Sequence, residues 1–144
     1  MKFYETSADK KLIIVRIDRD EEFISCLEEI ATKTQIQSAF FWAIGAFKNA
    51  VISFYDYNTK SYIDKELNEE FEVISLMGNI SYRYAEEVPM IHAHISLSTR
   101  EYGLIGGHLK KGIVSVTLET LILPVIDKIE RVYNQDFNLF LWKP

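Results

Sequence analysis

The sequence predicts an α+β fold, a mainly antiparallel β-sheet of about seven strands flanked by one or two helices. Three observations lead there. One segment alone has clear helical periodicity; most of the remainder is β-branched and aromatic in short runs; and the connections between those runs are too short for crossover helices. No Pro/Gly/Ser-rich linker or internal repeat interrupts the 144 residues, so residues 1–144 are expected to form one domain. A chain of this size buries roughly two-thirds of its unfolded surface. With 48% apolar and 13% aromatic residues it has the side chains to do so.

Leu12 to Asp18 (LIIVRID) reads as a first strand. Asp18 followed by Glu21 has the spacing of an Asp variant of the capping box. Behind it, DEEFISCLEEIATKT sets Phe23, Leu27, Ile30 and Ala31 on one stripe opposite a face of acids, an amphipathic helix from Asp20 to Thr34. Strands follow at Ser38 to Phe47 and at Val51 to Tyr57, the second ending in a turn at Asn58-Thr59. Ser61 to Leu67 and Phe71 to Met77 come next, with Gly78-Asn79 expected to stop the latter. Ile91 to Ser98 and Gly112 to Leu123 complete the strands, and the apolar Phe137 to Trp142 is expected to pack on the body or on a neighbour.

A net charge of −5, with basic residues only in small groups (Lys10-Lys11, Arg16 and Arg19, Lys110-Lys111), argues against unaided binding to duplex nucleic acid. Cys26 is the single cysteine, so no intrachain disulfide can form. The opening Met1-Lys2-Phe3-Tyr4-Glu5 lacks the apolar run of a signal peptide, no run is apolar enough to span a bilayer, and a cytoplasmic location is expected.

Chemistry concentrates in the histidines. In IHAHISLS, Ile91, Ala93, Ile95 and Leu97 share one strand face; His92, His94, Ser96 and Ser98 share the other. Imidazoles at i and i+2 stand roughly 6–7 Å apart at the backbone, near enough to lean onto one ion. The only other histidine, His108, follows Gly106-Gly107, a pair that lets the backbone take unusual conformations and approach another segment closely, and is expected to turn His108 back toward the strand. The same spacing suits an ordinary half-exposed polar face; confinement of all three histidines to these two segments favours a shared metal site at His92, His94 and His108. Three neutral imidazoles would leave one coordination position open, and zinc suits such ligands best, with iron, nickel or copper as alternatives. Glu119, the one acid within Gly112 to Leu123, is a candidate general base, histidine-orienting partner or fourth ligand, or else a surface carboxylate paired with a basic residue.

Several segments together resemble the PPC ("plants and prokaryotes conserved") domain: Trp42-Ala43-Ile44-Gly45-Ala46 running into Asn49-Ala50-Val51; Phe71-Glu72-Val73-Ile74-Ser75-Leu76-Met77-Gly78; His92 to Ser98; Gly106-Gly107-His108-Leu109; and Val116-Thr117-Leu118-Glu119. The resemblance covers 12–125 in the family's order. It implies a PPC-like α+β homotrimer whose three histidines cluster near a subunit boundary and hold a metal, with Glu119 in support and a small molecule as possible ligand. It also brings a DNA-binding, transcription-associated description from the plant members. Those carry an Arg-Gly-Arg-type AT-hook, which this sequence lacks. A purely structural oligomerisation module is the remaining alternative. One helix cannot cover so large a sheet, so apolar sheet surface is expected to meet other subunits, with Phe40, Phe41, Trp42, Phe54, Phe140 and Trp142 as candidates.

Overall fold

The computed structural model describes residues 1–5 and 12–143, with side chains from 12 onward and for Met1; Lys10-Lys11 lies outside the described residues. In chain order the elements are β1 (Lys2–Glu5), β2 (Ile13–Asp18), α1 (Phe23–Thr34), β3 (Ser38–Asp56), β4 (Ser61–Leu67), β5 (Phe71–Arg83), β6 (Pro89–Ser98), β7 (Leu104–Val125), β8 (Glu130–Asn134) and β9 (Leu139–Trp142). The fold is the α+β arrangement the sequence predicts, with nine strands in one sheet among the described residues, two more than the periodicity shows. All pairings are antiparallel except a short parallel contact of β8 with β5 at Tyr82 and Arg83. Among the described residues no helix is long and apolar enough to cross a membrane.

Helix α1 forms because its capping and its buried stripe agree. Glu22 is the N-cap, its carboxylate accepting from the Ile24 and Ser25 amides at 3.1 and 2.8 Å. The same carboxylate accepts from the Gly112 amide at 3.1 Å, which ties the start of the helix to β7. The capping box expected at Asp18 is half realised: Glu21 reaches back to the Asp18 amide at 2.7 Å, but the helix begins three residues later than Asp20. Gln35 closes it in the left-handed conformation, its N–H returning to the Ala31 carbonyl. Phe23, Cys26, Leu27, Ile30 and Ala31 are buried against the sheet, where Phe23 meets the Phe41 and Phe47 rings at 5.7 and 6.4 Å. Burial pushes the Cys26 thiol up to about 11, so it behaves as a small apolar side chain.

Two strands are far longer than the sequence suggests. The runs Ser38 to Phe47 and Val51 to Tyr57 are one 19-residue strand, β3. The Gly-Gly-His segment and Gly112 to Leu123 are one 22-residue strand, β7. Register shifts along the β3–β7 pairing bend both so that each serves several neighbours. β3 pairs with β4, β5 and β7, while β7 pairs with β2, β3 and β6; with β5–β6 this closes a ring of pairings around the core. Gly78-Asn79 does not end a strand either, since β5 runs straight through to Arg83.

The predicted alternation on β6 is realised: Ala93, Ile95 and Leu97 are buried in the core and the histidine face points away from it. Of the aromatics considered for subunit contacts, Phe41 is fully buried beneath Phe23 and is removed from that set. Phe40 is half-buried with its ring 6.1 Å from Trp142, whereas Trp42 and Phe54 are exposed. The C-terminal apolar segment packs on the body as a β8–β9 hairpin, and the Phe137 carbonyl accepts from the Tyr55 hydroxyl at 2.5 Å.

Candidate metal centre

The three histidines meet without a bend. His94 on β6 lies directly opposite His108 on β7, and His92 sits two residues along the same face of β6. Their ring centroids are 5.2 to 5.6 Å apart, and one nitrogen from each lies within 4.8 Å of the others. The double glycine brings this about by close approach. A Cβ on Gly106 would stand 2.3 Å from the Ile95 carbonyl oxygen, and one on Gly107 would stand 2.8 Å from that of Ser53. β7 can therefore lie tightly between β6 and β3 and deliver His108 in register.

His108 stacks on Tyr62 at 4.8 Å, and its Nδ1 is buried with no hydrogen-bond partner. A buried polar atom without a partner is costly in a folded chain, and this one belongs to a ring of the histidine cluster. His92 Nδ1 lies 3.3 Å from Nη2 of Arg131 on β8. Arg131 has only donors, so this nitrogen of His92 must accept. Burial, followed by the Arg131 charge and the neighbouring rings, pushes His92 down to about 4; burial, then His94 and Lys110, does the same to His108. Both rings are thus neutral at pH 7, the form a metal requires.

The depressed values carry a sign. Between pH 6.5 and about 4 the unfolded chain takes up protons at these positions and the folded chain does not, so stability must fall as pH falls through that window. Partial burial limits the expected loss to roughly 2–3 kcal/mol per ring. Urea unfolding of metal-free protein at pH 7, 5.5 and 4.5 will show the midpoint dropping. A midpoint that holds steady from pH 7 to 5 would contradict the neutral-ring assignment.

Glu119 stands elsewhere within the chain. It lies eleven residues further along β7, paired with Ile44 on β3 and Arg16 on β2, and faces a groove that includes Ile14, Trp42 and Ile74. No described carboxylate joins the three histidines as a fourth close ligand. The groups beside the cluster instead are Tyr62, Asn79 and Arg131, none of which the sequence reading assigns to the site. No spacing rule links them to the histidines, because they arrive on β4, β5 and β8 through pairings distant in sequence.

Comparison with known proteins places this geometry in a family. A metal-containing protein from Archaeoglobus fulgidus is 32% identical, with a TM-score of 0.86 over 99% of this chain and 97% of that one. A plant- and prokaryote-conserved protein from Pyrococcus horikoshii is 31% identical, with a TM-score of 0.85 over 99% and 95%. A candidate DNA-binding protein from Bacteroides thetaiotaomicron reaches 27% identity and a TM-score of 0.91 over 99% and 96%. No functionally curated protein matches the chain. The model of the Plants and Prokaryotes Conserved (PCC) domain matches residues 4–126, and the chain belongs to that family.

Proposed function

We propose that the chain is a metal-binding protein that works as a homotrimer, with His92, His94 and His108 holding one divalent transition metal, zinc by preference, and a small molecule reaching the open position. The observation that carries this reading is the convergence of three ring nitrogens within 4.8 Å, on rings one of which, His108, also has a buried Nδ1 without a partner. Such a set would hold the ion through one nitrogen of each ring. The metal content of the 32%-identical Archaeoglobus relative supports it. A zinc ion held there would supply Lewis-acid chemistry at its open position. The protein's part is to keep His92 and His108 neutral, to stack His108 on Tyr62, and to seat His92 beside Arg131. A cytoplasmic setting suits a chain whose one cysteine is a buried thiol.

Protein purified without a histidine tag should contain on the order of one zinc per chain after incubation with the metal. Less than about a tenth of an ion per chain by elemental analysis would rule the reading out.

The trimer rests on a row of side chains. Residues directly opposite in antiparallel pairs share a sheet face, and successive pairs link Ile14–Leu121–Trp42–Met77–His94–His108. The first four are exposed apolar side chains, joined on this groove by Ile44 and Ile74, and the row ends on the histidines. An apolar strip of this kind is what a symmetric assembly covers, and covering it would set the metal centre near a subunit boundary. Trp42→Glu with Ile44→Lys should convert a trimer to monomers by analytical ultracentrifugation with the β-sheet spectrum retained. A wild-type chain that sediments as a monomer at micromolar concentration would remove the trimer.

DNA binding is the weaker reading. Arg16, Lys33, Lys48, Lys110 and Lys128 are all held in ion pairs with neighbouring carboxylates, which leaves little positive field for phosphates on a chain of net charge −5.

A further inference from the structure

Arg131 is a buried cation without an anion. Its side chain is 7% exposed, and its donors reach only neutral acceptors: Ser81 Oγ at 2.7 Å, Asn79 Oδ1 at 3.1 Å, the Phe140 carbonyl at 3.0 Å and His92 Nδ1 at 3.3 Å. Among the described residues no carboxylate lies within 4.0 Å of it. Buried charges are ordinarily paired, since desolvation of a lone ion costs several kcal/mol. The guanidinium edges a cavity of about 350 Å³ that also includes His92 and His108 and is otherwise walled chiefly by apolar side chains, among them Tyr62, Ile91, Leu139 and Phe140. Asp64, whose charge acts on His108, is already taken by Lys110 at 2.7 Å and by the Ser53 hydroxyl.

The contact between Arg131 and His92 sharpens the point. If a metal takes Nδ1 of His92, the Arg131 N–H loses that acceptor. If it takes Nε2, the neutral ring carries its proton on Nδ1, and two donors face each other. Either way a metal-loaded site leaves a guanidinium N–H beside it that needs a new acceptor. The surroundings would then combine a divalent cation and a guanidinium with no protein carboxylate to balance them.

From this we infer that the pocket is a carboxylate-recognition site for a small amphipathic acid, with Arg131 as the anchor for the carboxylate and the wall of Ile91, Leu139 and Phe140 receiving the apolar part. The inference rests on the metal reading for its full strength, but the uncompensated charge of Arg131 is there without it. A carboxylate offers the two oxygens needed to engage a guanidinium and a metal together, which an amide of the same shape cannot do with charge. The cavity volume lies at the lower end of the range for small-molecule sites, which limits the apolar part to a few carbons.

The test is calorimetric titration of acetate, butanoate and hexanoate, and of their primary amides, into zinc-loaded and metal-free wild-type protein and into zinc-loaded Arg131→Gln. At least one acid should bind zinc-loaded wild type about tenfold or more tighter than its amide, a difference of roughly 1.4 kcal/mol. R131Q, brought to the same zinc content as wild type with excess metal and checked by elemental analysis, should lose that preference. Equal binding of acid and amide throughout the series, or an unchanged preference in R131Q, overturns the inference. Should R131Q not fold, the acid–amide comparison on wild type decides alone. Failure of wild type to take up zinc overturns the metal reading; the anchor is then judged on metal-free protein, where a preference for the acid upholds it and none rejects it.

Discussion

Replacing His94 with alanine is expected to weaken zinc binding by more than about a hundredfold while leaving the unfolding midpoint of the metal-free protein nearly unchanged. The magnitude follows from ligand arithmetic. Loss of a partner that merely orients a metal ligand already costs 10- to 100-fold, and His94 would be a ligand itself. The specificity follows from the strand: His94 is solvent-exposed, while Ala93 and Ile95 on either side of it are buried and carry the packing. Exposed substitutions of this kind stay within about 0.5 kcal/mol. His92→Ala with His94→Ala should abolish binding altogether. Competition against a chelating dye gives the affinities, and thermal unfolding gives the stability. A His94→Ala protein that binds zinc like wild type would show that the three rings do not act on one ion.

His108→Ala separates two roles of one ring. It removes the metal ligand, and it also removes the stack on Tyr62 and a buried nitrogen without a partner. The last two effects oppose each other in stability, whereas nothing opposes the loss of zinc. Affinity, not the melting temperature, therefore identifies the function of this residue.

The histidine strand was legible because period-two alternation is a local property: IHAHISLS has one apolar and one polar face in any sheet. Helix α1 was legible for the same reason, through a stripe of period 3.6. The double glycine before His108 points to both a turn and a close approach, since a glycine pair signals either freedom of the backbone or absence of a side chain, and only the close approach is realised. Here the carbonyls of Ile95 and Ser53 demand the second. The unbroken lengths of β3 and β7 were hidden by the irregular register that lets them bend, which interrupts the apolar pattern without ending the strand. Arg131 was invisible for a deeper reason. It reaches His92 from 39 residues away through the parallel contact of β8 with β5, and no periodicity encodes a pairing of that range.

Gly78 is where fold and site depend on the same atoms. It sits in β5 opposite Ala93, and a Cβ there would lie 1.9 Å from the His92 carbonyl oxygen, 2.6 Å from the Phe41 ring and 2.9 Å from Ala93 Cα. Two of these three neighbours are backbone of β6, which no rotamer change can move aside. Gly78→Ala should therefore destabilise the chain by about 3 kcal/mol, at the upper end of overpacking costs. Alanine's smaller entropy loss on folding returns only about 0.4–1 kcal/mol, too little to reverse the sign. Relief of the clash displaces β6 at His92, so zinc affinity should fall by at least about tenfold along with stability. Gly103→Ala is the control, since its Cβ would meet only the Thr99 hydroxyl at 3.3 Å, and it should remain within about 0.5 kcal/mol of wild type. Urea unfolding and zinc titration on the two variants make the comparison. If Gly78→Ala matched Gly103→Ala in both, β5 and β6 could not approach as closely as the histidine cluster requires.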